Sequence, residues 1–242
     1  MRYAVIAAGE GSRLASEGVR SPKPLVEVGG ERLIDRLLRI FVSNGASEVV
    51  VICNSQMPAV QQHLEAILHR GDSPLVRLVV KSTPSSMHSL WELSPWLEGE
   101  PFVLTTVDTI FRESEFSAYV SAFRQLIATG EADGLMGITD YIDDEKPLHV
   151  ATDGQLNITG FLDQCDAPRY ISGGIYGLTP QSLDTLRRCI KRGESRMRNF
   201  QRALVADGLR LKAYPFSKVL DIDHASDIQK AEEFLEGEKV RR

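Results

Sequence analysis

Apolar positions along the chain alternate between two rhythms. Residues 3–8 are an unbroken apolar run of strand length, the pattern of a strand buried on both faces. Residues 31–43 instead place Leu33, Leu37 and Phe41 four apart, with Ile34 and Leu38 beside them and Glu31, Arg32, Asp35, Arg36 and Arg39 opposite, which predicts an amphipathic helix. Asn44-Gly45 closes that helix, and residues 49–52 follow as a second strand, too short and too β-branched to be helical. A helix over residues 59–69, with Val60, Leu64, Ile67 and Leu68 inward, leads to a third strand at 76–80, and residues 102–104 read as a fourth. Strands alternating with helices predict right-handed crossovers and an open, mostly parallel α/β sheet covered on both faces. Its ligands belong beyond the carboxyl ends of the strands.

Beyond Asp133 the rhythm shortens. Residues 134–139, 149–152, 156–161 and 170–178 read as strands separated by turns such as Asp153-Gly154, a small mixed β extension. Helices are expected over 180–192, 197–206 and from about 226, with strands at 210–214 and 218–220; residues 239–242 read as a disordered tail.

The 242 residues fit one domain spanning 1–242. A net charge of -5 without any basic block argues against a nucleic-acid partner. Cys53, Cys165 and Cys189 form no Cys-x-x-Cys pair, so neither a disulfide framework nor a zinc site is expected. No apolar run approaches the ~20 residues of a membrane span, and the chain starts on a core strand, so a cytoplasmic protein without a membrane partner is the expectation.

The chemistry concentrates after the first strand. Gly9 and Gly11 allow close approach of backbone to a ligand, while Arg13 and Lys23 bring positive charge to the same loop, together a cradle for a polyphosphate. The loop is neither a P-loop nor the dinucleotide fingerprint, since it lacks both the Gly-Lys-Ser/Thr ending and a third glycine. Asp108, after the fourth strand, puts a carboxylate at the carboxyl edge of the sheet, as a magnesium ligand or as an N-cap for a helix at 113–128.

The string Ala-Ala-Gly-x-Gly-x-Arg-Leu at residues 7–14, followed by Pro-Lys-Pro-Leu-Val at 22–26, resembles the signature of the nucleotidyltransferases that make nucleotide sugars and related activated alcohols. The resemblance implies a Rossmann-like three-layer α/β/α fold. It also implies transfer of a nucleoside monophosphate from an NTP to a phosphorylated small-molecule acceptor, with release of pyrophosphate and with magnesium as cofactor. On that pattern Arg13 faces the β- and γ-phosphates and Lys23 the α-phosphate and acceptor, while Ala7, Ala8, Gly9, Gly11, Ser85 and Ser86 frame the base and ribose. Asp108 and Asp223 hold the metal, with Asp221 as second choice and a capping role for the final helix as the plainer alternative. Gly173 and Gly174 lie against the acceptor, or form a β-bulge; Lys146 approaches the acceptor phosphate, or is an ordinary surface lysine.

Ser85-Ser86-Met87-His88-Ser89-Leu90 stands where many sugar-nucleotide enzymes have Leu-Gly-Thr-Ala. That spelling, with Leu220-Asp221-Ile222-Asp223-His224, is closer to the phosphocholine or inositol-phosphate cytidylyltransferase branch. A bulkier wall at 85–87 favours a pyrimidine, CTP first and UTP second. Sugar 1-phosphate is the first acceptor expected, with phosphocholine or a polyol phosphate second; Trp91, Trp96, Tyr141 and Tyr176 are the rings available to an ammonium, although the tryptophans suit the core. Two other classes fit parts of the pattern: a metal-dependent glycosyltransferase, since residues 221–223 spell Asp-x-Asp, and a catalytically silent nucleotide-binding regulator.

Overall fold

The computed structural model describes residues 1–70, 75–143 and 145–239. Strand β1 (Arg2–Ala7) leads through the short helix α1 (Ser12–Ser16) and a single 3-10 turn at Lys23–Leu25 to the hairpin of β2 (Glu27–Val28) and β3 (Glu31–Arg32). Then come α2 (Leu33–Ser43), β4 (Glu48–Cys53), α3 (Pro58–Arg70), β5 (Leu75–Val80) and α4 (Ser86–Leu93). After β6 (Phe102–Thr106), β7 (Thr109–Ile110) and α5 (Glu113–Thr129), the chain forms β8 (Gly134–Thr139), β9 (His149–Thr152), β10 (Ile158–Leu162) and β11 (Ile171–Leu178). It ends with α6 (Ser182–Lys191), α7 (Met197–Ala206), β12 (Leu211–Phe216), β13 (Leu220–Asp221) and α8 (Ala225–Lys239).

One nine-stranded sheet holds the molecule together, running β5-β4-β1-β6-β11-β8-β12, with β9 and β10 branching from β11. β1 pairs in parallel with β4 and with β6, Val5 lying opposite Val51 on one side and Thr105 on the other. β11 runs antiparallel to both β6 and β8, which makes the second half mixed, as the shorter rhythm predicts.

Successive residues of β1 feed two cores. Tyr3, Val5 and Ala7 pack with α2, α5 and Ala231 of α8, while Ala4 and Ile6 pack with α4, α6 and α7. The first core is knit by rings: Tyr3, Phe41, Phe116 and Phe111 follow one another at centroid distances of 4.8, 5.6 and 4.8 Å. Each such ring contributes about 1.5–3 kcal/mol through burial, enough to hold the strand ends that carry the site. The layers are helices, sheet and helices, the three-layer α/β/α arrangement that the alternating rhythm predicts.

Three local expectations change. The helix expected from Glu31 starts at Leu33, because Gly29-Gly30 turns the chain into the β2–β3 hairpin first, with φ of 61° and 81°. Residues 12–16 are a helical turn rather than loop, and the stretch from Ser86 is helix α4, its Met87, Leu90 and Leu93 burying one face. The late strand expected at 218–220 is β13 at Leu220–Asp221. Of the expected tail, Lys239 ends α8 and residues 240–242 lie outside the described residues. Among the described residues, no helix is long and apolar enough to cross a membrane.

Candidate active site

The strand order reverses at β1: the chain steps outward to β4 and β5, then crosses back to β6 on the other flank. An open sheet splits its carboxyl edge at such a point. A cleft of about 630 Å³ opens there, lined by Ala8, Gly9, Gly11 and Arg13 from the loop after β1, by Lys23, by Ser85 and Ser86 ahead of and opening α4, and by Asp108 and Asp223. Gly11 caps α1 with φ 62°, and a Cβ there would stand 3.0 Å from Cβ of Lys23. The two halves of the sequence signature are therefore in contact.

Lys23 is the electrostatic centre. It is 8% exposed, and its Nζ contacts the carboxylate of Asp108 and lies 2.6 Å from Oδ1 of Asp223. Burial by itself depresses the ammonium pKa, but the two carboxylates more than offset it and hold the group above the usual lysine range, so it stays charged. Arg13 donates to the other oxygen of Asp223 at 3.2 Å. The turn after β6 and the C-terminal segment are tied together by the β7–β13 ladder and by the Ile222 N–H donating to the Asp108 carbonyl at 3.1 Å.

The plainer capping roles fall to other residues. Asp227 accepts the N–H groups of Asp223 and His224, leaving the Asp223 carboxylate turned to Lys23 and Arg13. Helix α5 starts beyond Asp108, with Arg112 at its N-cap position. Asp221 accepts from Thr109 Oγ1 at 3.4 Å, so the two aspartates around buried Ile222 have different polar partners. Asp108 and Asp223 thus meet on one cation, a hard-oxygen pair of the kind that holds magnesium together with phosphate oxygens. Among the described residues no group of three or more His, Cys, Asp or Glu forms a metal cluster.

The side chains of Ala7 and Met87 both turn into the core. The Ala7 side chain is in the core beside α2, so only its backbone is near the cleft, and Met87 is fully buried under α4. The wall at 84–86 is therefore Pro84, Ser85 and Ser86 without the thioether. Sequence reading missed Asn54, directly after β4. Buried in the cleft floor, it donates Nδ2–H to the Ala8 carbonyl at 3.2 Å and accepts from Ser82 Oγ at 2.6 Å and the Gln56 N–H at 2.9 Å. The signal was available: a polar residue at the carboxyl end of an apolar strand, beside the glycine loop.

A second cavity of about 200 Å³ shares Arg13 and Asp223 with the cleft and extends beneath β11 and β13, with Gly173 and Asp221 in its lining. Gly173-Gly174 does sit at a register shift of the β11–β8 pair. Gly174 has φ 69°, and a Cβ there would come within 3.1 Å of Thr109 Oγ1, so the glycine is required by packing against the β6–β7 turn. Lys146 lines neither space; its carbonyl accepts from Arg198. The loop after α1 is latched to the C-terminal segment by Glu17, which accepts from His224 Nδ1 at 2.6 Å and from the Ala225 N–H at 2.7 Å.

A glycine loop, an enclosed cation and two convergent carboxylates at the switch point of this sheet define the class: the fold is that of the nucleotidyltransferases. Within it the chain belongs to the family described as the MobA-like NTP transferase domain, which matches residues 3–152. The CMP-5'-(3-aminopropyl)phosphonate synthase of Streptomyces rubellomurinus is 30% identical over 166 residues, 60% of this chain and 25% of that protein. The chain thus spans about a quarter of the length of that relative. The UTP–glucose-1-phosphate uridylyltransferase of Haloferax volcanii is 25% identical over 246 residues, covering 100% of this chain and 99% of the relative. The inositol-1-phosphate CTP transferase from T. maritima superposes with a TM-score of 0.73 at 20% identity, over 97% of both chains. The CTP:phosphocholine cytidylyltransferase from Streptococcus pneumoniae gives 0.75 at 15%, over 96% of this chain and 98% of that one.

Proposed function

We propose that this protein transfers a nucleoside monophosphate from an NTP, CTP by preference, to the phosphate or phosphonate of a small acceptor. The observation that carries the reading is the Lys23 ammonium held between Asp108 and Asp223 beside the glycine loop. An acceptor oxygen attacks the α-phosphorus, a new P–O bond forms, and the bond to the β-phosphate oxygen breaks to release pyrophosphate. The attacking oxygen is already an anion at neutral pH, so no general base is required; the barrier lies in bringing anions together and stabilising the leaving group.

Lys23 supplies a charge that burial does not quench, aimed at the α-phosphate and the incoming acceptor. Arg13, exposed and paired with Asp223, would turn its planar fork to the departing pyrophosphate. Backbone from Ala7 to Gly11, with Ser85 and Ser86, frames the nucleoside, and Asn54 holds the Ala8 carbonyl in place. Asp108 and Asp223 are the pair that would hold magnesium, with Asp221 set apart by its Thr109 contact; the ion's contribution is neutralisation of phosphate charge. The preference for cytidine is supported by the CMP-linked product in the name of the Streptomyces relative. Acceptors to consider are sugar 1-phosphates and the phosphates of small alcohols, which the second cavity would receive.

Pyrophosphate release measured with the four NTPs against glucose 1-phosphate, phosphocholine and inositol phosphate tests this. CTP is expected to support turnover with at least one acceptor. Nucleotide binding without release across the panel would overturn the reading in favour of a silent regulator.

A further inference from the structure

Four charged groups in the cleft neutralise one another. Arg13 Nη1 lies 3.2 Å from Oδ2 of Asp223, whose Oδ1 is 2.6 Å from Lys23 Nζ, and the same ammonium contacts Oδ2 of Asp108. Glu10, the remaining charge on the cleft lining, is exposed. The charges just outside are paired among themselves: His224 with Glu17 at 2.6 Å, and Lys230 with Asp143 at 2.8 Å and Asp227 at 3.2 Å. An ion bound by both Asp108 and Asp223 would need the space that the Lys23 ammonium fills. Nζ stands against one oxygen of each, magnesium takes carboxylate oxygens at about 2.0–2.1 Å, and the other oxygen of Asp223 is taken by Arg13. Ammonium and ion are therefore alternatives at this pair of carboxylates.

An ion arriving alone would add a double positive charge to carboxylates already neutralised, and would have to displace an ammonium that is 8% exposed and held by two partners. A triphosphate changes the balance, because it offers Lys23 and Arg13 anionic oxygens in place of the carboxylates. Only the side chain has to move. Lys23 opens the 3-10 turn between Pro22 and Pro24, with its Cβ 3.0 Å from where a Gly11 Cβ would stand, while the four-carbon stem carries the ammonium on free torsions. We infer that Lys23 is an internal counter-ion, which keeps divalent metal off Asp108 and Asp223 until a triphosphate draws the ammonium away. The site then takes its ion together with nucleotide and not from solution. The inference rests on the nucleotidyl-transfer reading above for the triphosphate, and names the regulation of that same site. By linkage the ion strengthens nucleotide binding by the factor by which nucleotide strengthens binding of the ion. The competing explanation is a lysine that merely ties the C-terminal segment to the turn after β6; removing such a tie would not raise metal affinity.

The test titrates the nucleotide-free protein with MgCl2 and with MnCl2 by calorimetry and follows the melting temperature in parallel. Lys23→Met should bind either ion at least about tenfold more tightly than the unsubstituted protein. Its melting temperature should climb with added ion, while that of the unsubstituted protein stays nearly level. Adding Asp108→Asn to Lys23→Met should abolish the gain. Lys23→Gln, which drops the charge but can still donate to a carboxylate, is read in the same way should the methionine variant fail to fold. Equal affinities with and without Lys23, or a gain that survives Asp108→Asn, would overturn the exchange. These titrations contain no nucleotide, so their failure leaves pyrophosphate release standing as the test of transfer. Conversely, a protein that releases no pyrophosphate with any acceptor loses the transfer reading while the titrations still judge the competition between Lys23 and metal.

Discussion

The cleft and the cavity lie side by side on one edge of one sheet, yet they are built differently. The cleft is formed at the ends of the parallel strands β1, β4, β5 and β6, and apart from Asp223 its lining falls within residues 3–152 that match the family. The cavity is lined largely by β11, β13 and the start of α8, beyond that match. On the proposed function every nucleoside triphosphate presents the same triphosphate, and the surface proposed to meet it is backbone, glycine and an enclosed cation. On the same reading acceptors differ in everything but the phosphate, and the cavity proposed to receive them is assembled from later strands, away from the switch point. Asp223 and Arg13 are the residues shared by both spaces.

Lys23→Ala is the sharpest way to break this comparison. Turnover should fall about 100-fold to 1,000-fold for every acceptor alike, with nucleotide affinity changing much less, because the charge acts as the α-phosphorus is attacked. Steady-state kinetics beside nucleotide titrations measure it, and a loss confined to one acceptor class would place Lys23 in the cavity's service instead. Asp108→Asn should come next, at about 100-fold in turnover with the fold retained, and calorimetric titration of the apoprotein with magnesium should show weaker binding. Unchanged magnesium affinity would remove Asp108 from the metal site.

Asn54→Ala should act on the cleft alone. The Ser82 hydroxyl and the Ala8 carbonyl lose a buried partner, so stability should drop by about 1–3 kcal/mol in urea unfolding, with KM for the NTP raised and that for the acceptor unmoved. Gly174→Ala should act at the junction. Its left-handed backbone and the close Thr109 hydroxyl predict a loss of about 1–3 kcal/mol, visible as a lower melting temperature.

The smallest effect concerns the Glu17–His224 latch that holds the α1 loop to the C-terminal segment. The hydrogen bond to Glu17 raises the His224 pKa above 6.5, so the stability it gives is complete below pH 6.5 and fades as pH climbs through the raised value. Glu17 is lowered below 4.5 by the same bond, so its contribution is complete above pH 4.5 and fades in acid. The difference in melting temperature between the protein and His224→Gln should therefore be greatest between those two pH values and shrink on either side. A difference that does not vary with pH would mean that the latch is uncharged.

Much of this was legible in the chain. Residues 2–7, 48–53 and 102–106 lie on both-face-buried strands, and apolar runs with turns at their ends announce such strands without knowledge of their neighbours. The signature at 7–14 and 22–26 is legible because its glycines and cations stand close together along the chain. Asn54 was overlooked because one polar residue after a strand has no period to stand out against. Met87 was placed on the cleft wall because its stretch was read as a motif without an assigned element, whereas a helix turns successive side chains to different faces and sends this one into the core.

The sequence by itself determined the strand and helix rhythm, the loop of glycine and cation, and the family, since each is written in residues close together along the chain. Tertiary structure alone decided that Asp223, 200 residues from Lys23, meets its ammonium at 2.6 Å, and that Asp221 is turned to Thr109. It decided also that five carboxylates collect around one cavity. These depend on the β7–β13 ladder docking the C-terminal segment onto the turn after β6, a contact whose partners are joined by packing and not by any local period.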